Sequence, residues 1–260
     1  MAAGSRSRCR RAGWVASTHV DFSARRCADV AQFPTICGIG REDIFQQFPR
    51  LARWAPLQRT GHWADADMLP LGHIGLRAER GDDRQSRLTL DEQKTLLTLW
   101  CMGRSPLMVG GDLPTSDDDT IALLTNPALR EVTAGSANNR EIVRERLFSE
   151  WNVEDSYIGD LIVWTADAVK WADGTPCAHP GSHYGAIFWT GDEPYELKGN
   201  IQLQSFVGIA DRNRDWTLAD LWADAPGTPS DIRIEGEGED RVIRGTIPAH
   251  GALWFAIRPL

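Results

Sequence analysis

The sequence predicts an α/β region followed by an antiparallel all-β region, and three observations carry that expectation. Between residues 41 and 132, helical apolar periodicity alternates with short apolar runs, in the order helix, strand, helix, strand, helix. Beyond about residue 150 the pattern changes to strand-length runs rich in Val, Ile, Trp and Phe, parted by Gly, Pro and Asp turns. The composition, 42% hydrophobic and 25% charged over 260 residues, is that of an ordinary globular chain with room for one large domain or two small ones.

Each element has its own signal. REDIFQQFPRLARWAP (41–56) puts Ile44, Phe45, Phe48, Leu51, Ala52 and Trp54 on one side at a 3.6-residue period. Pro49 inside it predicts a kink or a restart, and Pro56 closes it. In GHWADADMLPLG (61–72), WADADML reads as a short strand beside a polar loop. RAERGDDRQSRL (77–88) is a charged surface loop. Thr89 and Glu92 form a capping box that opens a helix with Leu96, Leu99, Trp100 and Gly103 on one face, leaving Glu92 and Lys94 on a solvated face. SPLMVGGDLP (105–114) gives a short strand, LMV, ended by two glycines and Asp112. Ser116 with Asp119 caps the next helix, which Asn126-Pro127 stops. In the second half, DLIVWTA (160–166), YGAIFWT (184–190), IQLQSFV (201–207), DRVIRGTI (240–247) and ALWFAIR (252–258) read as strands.

Charge and cysteine usage exclude several function classes. Residues 1–40 hold six arginines against Asp21 and Asp29, a net of +4, which leaves −12 on the remainder of a chain whose total is −8. An acidic body repels a polyanion, so nucleic acid is not an expected partner. No run of eighteen apolar residues occurs, so no membrane span is expected. No apolar run of seven follows Arg10-Arg11, which argues against a secretory signal; no compartment is specified, with a cytoplasmic one favoured. Five cysteines without close pairing form neither a disulfide framework nor a structural zinc site.

Asp65 and Asp67 are the first candidates for chemistry. A glycosidase places two carboxyl groups across the scissile bond, about 5–5.5 Å apart for retention and about 6.5–9.5 Å for inversion. On an extended strand the two aspartates would share a face, their Cα atoms about 6.6 Å apart. Acid and base must reach a sugar ring from different sides, whereas neighbours on one strand stand side by side. One of the two therefore reads as hydrogen-bonding substrate or orienting a catalytic group, with nucleophile and acid together, or capping of the following loop, as the alternatives. His62, Asp65 and Asp67 make a poor metal set, because no second histidine stands nearby at ligand spacing. Trp63 either stacks on a sugar face or fills the core. Asp112, after Gly110-Gly111, sits where βα loops carry binding groups. His73 and Arg77 are loop residues without an assignable role.

Six segments, in chain order, carry a family resemblance. GHWADADMLPLG, LTLDEQKTLLTLWCMGRSPLMVGGDL and TIALLTNPALREV resemble the last strand–helix units of the α-galactosidase (melibiase) barrel. HYGAIFWTGDEP, TLADLWAD and IPAHGALWFAI are similar to that family's C-terminal β domain. The resemblance runs from about residue 41 to 260 and covers only the family's C-terminal half: the last two barrel strands, near 63–69 and 106–110, and the C-terminal β domain. It implies a partial (β/α)8 (TIM) barrel followed by an antiparallel all-β C-terminal domain. The implied division is an unmatched basic segment at 1–40, disordered or mis-assigned, barrel at 41–135 and a sandwich-like β domain at 136–260.

The function implied by the resemblance is α-galactosidase-like hydrolysis of terminal O-glycosidic bonds by a retaining mechanism, on a galactoside-like carbohydrate, with no cofactor and no metal. His62, Trp63, Asp65, Asp67 and Asp112 would bind substrate. The family nucleophile lies in a Lys-x-Asp segment that residues 1–40 lack, and only Asp29 is loosely positioned as acid/base. The resemblance therefore describes a truncated, catalytically incomplete member. Alternatives are a non-catalytic carbohydrate-binding fragment or a half-barrel completed by a separate partner chain. Two barrel strands leave open edges through which the chain could self-associate.

Overall fold

The structure is a computed structural model that describes residues 41–59, 62–77, 82–149, 157–171, 174, 177, 179–209, 211, 213–227 and 230–260. Helix α1 (Arg41–Trp54) is followed by the short antiparallel pair β1 (His73–Ile74) and β2 (Arg84–Gln85). Next come α2 (Leu90–Met102), α3 (Asp118–Leu124) and α4 (Pro127–Gly135). The segments 62–69 and 106–110 run side by side through a parallel bridge between Leu69 and Val109. This strand–helix–strand–helix order with a parallel pairing is that of a partial (β/α)8 barrel.

An antiparallel β region follows. It comprises β3 (Ser136–Phe148), β4 (Tyr157–Ala168), β5 (His183–Trp189), β6 (Tyr195–Glu196), β7 (Trp216–Asp220), β8 (Arg233–Glu235), β9 (Val242–Arg244), β10 (Thr246–Ile247) and β11 (Ala252–Pro259), with a single-turn helix α5 (Gln204–Val207). The main sheet has the order β3-β4-β5-β11-β7 and every pair in it is antiparallel. β6–β10 and β8–β9 form two further antiparallel pairs.

Period-2 alternation divides the sheet between two cores. Ile162, Trp164 and Ala166 of β4, Tyr184, Ala186 and Phe188 of β5, and Trp254 and Ala256 of β11 pack toward the helices. The intervening Leu161, Val163, Ile187, Trp189, Leu253, Phe255 and Ile257 pack against Leu197, Ile201, Phe206, Ile243 and Ile247. Burying each such side chain is worth about 1.5–3 kcal/mol. A sheet covered on both faces explains why its strands read as continuous apolar runs.

The helical core joins the sheet through specific contacts. Phe48 of α1 meets Phe188 edge-on, ring centroids 4.9 Å apart. The Trp222 indole donates to the Thr98 hydroxyl at 2.9 Å, and the Thr95 hydroxyl donates to the His250 carbonyl at 2.8 Å. The Tyr184 hydroxyl donates to Glu131 at 2.9 Å.

Several expectations change at the level of single elements. α1 runs through Pro49 without restarting, because burial of Ile44, Phe48 and Leu51 outweighs the ~3 kcal/mol cost of an interior proline. The capping box at Thr89 and Glu92 forms, but Glu92 and Lys94 are buried rather than solvated. β-region residues cover that helix face: the His250 imidazole approaches Glu92 at 3.4 Å, and Gly227 lies beside the Lys94 ammonium. Burial holds Lys94 below its ordinary pKa. The cap of α3 is Asp117, which accepts from the Thr120 N–H at 2.8 Å, in place of Ser116. Within IQLQSFV the last four residues form α5 rather than a strand, packing Phe206 against Phe255, and Gln202 makes a single antiparallel bridge to Val242. The 13-residue β3 (SANNREIVRERLF) carried no strand signal because, as the sheet's edge, it keeps charged residues on its open side. Among the described residues no helix is long and apolar enough to cross a membrane.

Candidate functional site at the ends of the paired segments

The Leu69 N–H donates to the Met108 carbonyl at 2.7 Å, and the Gly110 N–H donates to the Leu69 carbonyl at 2.8 Å. The ladder is one bridge long, shorter than the strands expected at 63–69 and 106–110, because Asp67 interrupts it with φ of +77°. Aspartate tolerates that left-handed conformation because its short carboxylate can bond locally. Here Asp67 Oδ1 accepts from the Met68 N–H at 2.7 Å, and Asp65 Oδ1 accepts from the Asp67 N–H at 2.9 Å. Two buried groups fix this turn from behind. Ser105 Oγ accepts from the Ala66 N–H at 2.9 Å, and the Trp100 indole donates to the Asp67 carbonyl at 3.1 Å. Ala66 is thus buried between two exposed aspartates, each with its Oδ2 unbonded among the described residues.

Beyond Leu69 and Val109 the chain forms a polar rim. Asp112 pairs with His73, its N–H donating to the His73 carbonyl at 2.8 Å. Close backbone approach requires glycine here: a Cβ on Gly111 would stand 2.0 Å from the Leu71 carbonyl oxygen, and one on Gly72 (φ +70°) 2.0 Å from Ser116 Oγ. Ser116 Oγ donates to the Asp112 carbonyl at 2.9 Å and accepts from the His73 N–H at 3.1 Å. The Thr115 hydroxyl lies 2.6 Å from both Asp112 Oδ2 and His73 Nδ1, and His73 Nε2 is hydrogen-bonded to Asp83. His73 and Thr115 escaped the sequence reading because nothing local marks two residues 42 positions apart as partners.

Trp63 belongs to a different neighbourhood. It is 40% exposed, and the Arg104 guanidinium stacks 5.1 Å from its ring centroid. Burial disfavours the charged form of Arg104. Both residues line a groove of about 690 Å³ whose walls include Pro106, Leu107, Leu124 and Leu129. His62 is exposed and exchanges backbone hydrogen bonds of 2.8 and 3.1 Å with Arg59.

The paired segments run from Trp63 and Pro106 toward Leu69 and Val109, then on to His73 and Asp112. At about 3.3 Å per extended residue, Trp63 lies up to ~20 Å before the bridge, and Asp112 up to ~10 Å after it. The sequence-predicted set therefore divides. Asp65 and Asp67 share one turn, Asp112 joins His73 and Thr115 past the segment ends, and Trp63 stands with Arg104 where the segments begin. Asp29 and the reading of residues 1–40 fall outside the described residues. Among the described residues no three His, Cys, Asp or Glu side chains are placed to hold a metal ion.

Comparisons with known proteins point in one direction. No family model matches the chain. It is 30% identical over 118 residues to "Alpha-galactosidase 2" of Arabidopsis thaliana, an alignment spanning 45% of this chain and 24% of that protein. It is 29% identical over 157 residues to the human alpha-N-acetylgalactosaminidase, spanning 60% of this chain and 34% of that one. Among solved structures, a GH27 β-L-arabinopyranosidase from Geobacillus stearothermophilus matches with TM-score 0.61 and 29% identity, over 85% of this chain and 42% of that chain. The α-galactosidase of Saccharomyces cerevisiae matches in fold with TM-score 0.59 at 16% identity, over 88% of this chain and 56% of that one. The chain thus spans about a quarter to a third of these two curated relatives.

The structural matches correct the reading that confined the likeness to the last two barrel strands and the C-terminal β domain. The relationship to GH27 and melibiase-type proteins covers about 85% of this chain, not just a C-terminal fragment. Fold outlasts motif: a sheet keeps its backbone wherever inward and outward alternation survives, so likeness extends past the blocks that side chains mark.

Proposed function

We propose that the described region forms the sugar-facing part of a glycoside hydrolase of the α-galactosidase kind, whose substrate is a galactoside-like carbohydrate with a terminal O-glycosidic bond. The observation that carries this reading is the turn at 65–67. Two exposed carboxylates there keep a second oxygen unbonded among the described residues, while Ser105 and Trp100 hold the backbone rigid behind them. Carboxylate oxygens on a fixed backbone are suited to accept hydrogen bonds from sugar hydroxyls. Asp112 contributes a third carboxylate at the rim, where barrel enzymes carry their sites. Trp63 and His62 would then meet only the more distant part of a longer saccharide.

Asp65 and Asp67 bind rather than cleave. Retaining hydrolysis needs an acid and a nucleophile on opposite sides of the scissile bond. These two side chains leave one turn, Asp65 accepting from the Asp67 N–H and Asp67 from the Met68 N–H. The described residues therefore orient the sugar, and Asp29 is the acid/base candidate of this reading. The matched relatives are named as α-galactosidase, α-N-acetylgalactosaminidase and β-L-arabinopyranosidase, which supports a carbohydrate of this class and leaves the sugar open. The proposed division sets barrel residues 41–135 against β-domain residues 136–260.

A half-barrel completed by a separate chain is a second reading, favoured by the apolar groove beside Leu107 and Leu129. Galactose titration of the purified chain tests the first. Asp67→Asn keeps the left-handed backbone but weakens a charge-assisted bond, so affinity falls about tenfold or more. Unchanged affinity overturns the assignment. Turnover of an aryl α-galactoside by the purified chain, abolished by Asp29→Asn, would overturn the expectation that the chain is catalytically incomplete.

A further inference from the structure

The hydrogen bonds around Thr115 can all be made together only when both nitrogens of the His73 ring carry a proton. A threonine hydroxyl has one proton to donate and lone pairs to accept. Asp112 Oδ2 at 2.6 Å is acceptor-only when ionised, and the distance is that of a charge-assisted O–H···O⁻ bond. If the hydroxyl proton goes to Asp112, Thr115 Oγ1 must accept from His73, 2.6 Å away, so Nδ1 carries a proton. Asp83, likewise acceptor-only, requires a proton on Nε2. Both ring nitrogens then donate, and the ring is an imidazolium. With a neutral ring protonated on Nε2, Nδ1 becomes an acceptor, the Thr115 hydroxyl turns to it, and Asp112 loses its partner.

We propose that His73 is a positioning residue for Asp112, acting through the Thr115 hydroxyl. The protonated ring holds the Asp112 carboxylate at the rim. Loss of the Nδ1 proton to solvent releases it. This rests on the reading that Asp112 contacts substrate. The side chain of His73 is 18% exposed, so solvent can exchange that proton. The charged groups tied to the ring are Asp83 directly and Asp112 through Thr115, while Asp82, Arg84 and Asp117 are chain neighbours of residues that bond His73. Gly72 and Gly111 fix the geometry, because a Cβ on either would push the two loops apart.

The test is NMR of the full chain, with ¹³C-carboxyl aspartate and ¹⁵N-imidazole histidine, as a function of pH. The Asp112 resonance, assigned by Asp112→Asn, should show an inflection at the pH where the His73 ring titrates. Thr115→Val should remove that inflection, and Thr115→Ser should keep it. His73→Gln, whose amide can donate to Thr115 at every pH, should leave Asp112 at its low-pH position throughout. An Asp112 signal indifferent to His73 in the wild type, or an inflection surviving in Thr115→Val, overturns the proposal. Galactose affinity should fall about tenfold as the ring deprotonates. Galactose binding that ignores the titration while the coupling persists overturns the placement of Asp112 at the sugar. Coupling in a protein that does not bind galactose supports the relay and overturns the sugar-site reading.

Discussion

Asp67 offers a comparison in which the usual ranking of two substitutions should reverse. Its φ of +77° lies in the left-handed region, where a Cβ costs about 1–2 kcal/mol and glycine pays nothing. Asp67→Gly and Asp67→Ala both delete the carboxylate and its 2.7 Å bond to the Met68 N–H, so that shared loss cancels between them. At an ordinary exposed position alanine is the more stable residue by about 0.4–1 kcal/mol, because glycine loosens the unfolded chain. The left-handed backbone outweighs this, leaving the glycine variant more stable than the alanine variant by about 0.5–1 kcal/mol. Urea unfolding followed by tryptophan fluorescence resolves the difference as a shift in midpoint at constant slope. An alanine variant as stable as the glycine one would refute the left-handed turn, and with it the placement of the Asp65 and Asp67 carboxylates.

Three further outcomes follow from packing and electrostatics. Phe48→Ala should cost about 3–5 kcal/mol in denaturant unfolding, because the ring is fully buried and meets Phe188 edge-on at the helix–sheet junction. Asp117→Ala should cost about 1 kcal/mol at neutral pH. The Thr120 backbone N–H holds the Asp117 carboxyl below its usual range, so the cap contributes above the ordinary carboxylate pKa and is lost as pH falls through the depressed value. Wild-type and variant stabilities should therefore converge in strong acid. Burial pushes the Cys101 thiol up to about 12, so iodoacetamide at neutral pH should modify it only as fast as the protein opens.

Long apolar periodicity was legible, and short polar geometry was not. β4, β5 and β11 could be read directly because both faces of each are buried, which leaves runs such as LIVW and LWFAI unbroken. The Thr89–Glu92 box was legible because capping is a local interaction three residues long. β3 was hidden because an edge strand with charged residues looks like a loop. Glu92 and Lys94 misled because the residues that bury them, Gly227 and His250, lie more than 130 positions away in sequence. The candidate site was half visible. Asp65, Asp67 and Asp112 stood out as carboxylates near glycine and proline, but the turn at Asp67 depends on Ser105 and Trp100. Trp63 is adjacent in sequence yet belongs with Arg104 and the apolar groove.

A galactose titration of amide-labelled protein tests whether the carboxylates at 65–67 and 112 bind a galactoside-like sugar. Saturable shifts centred on residues 65–68 and 110–115, weakened in both Asp67→Asn and Asp112→Asn, are expected. No saturable shift, or shifts confined to the β region and unchanged in both variants, would contradict sugar binding there.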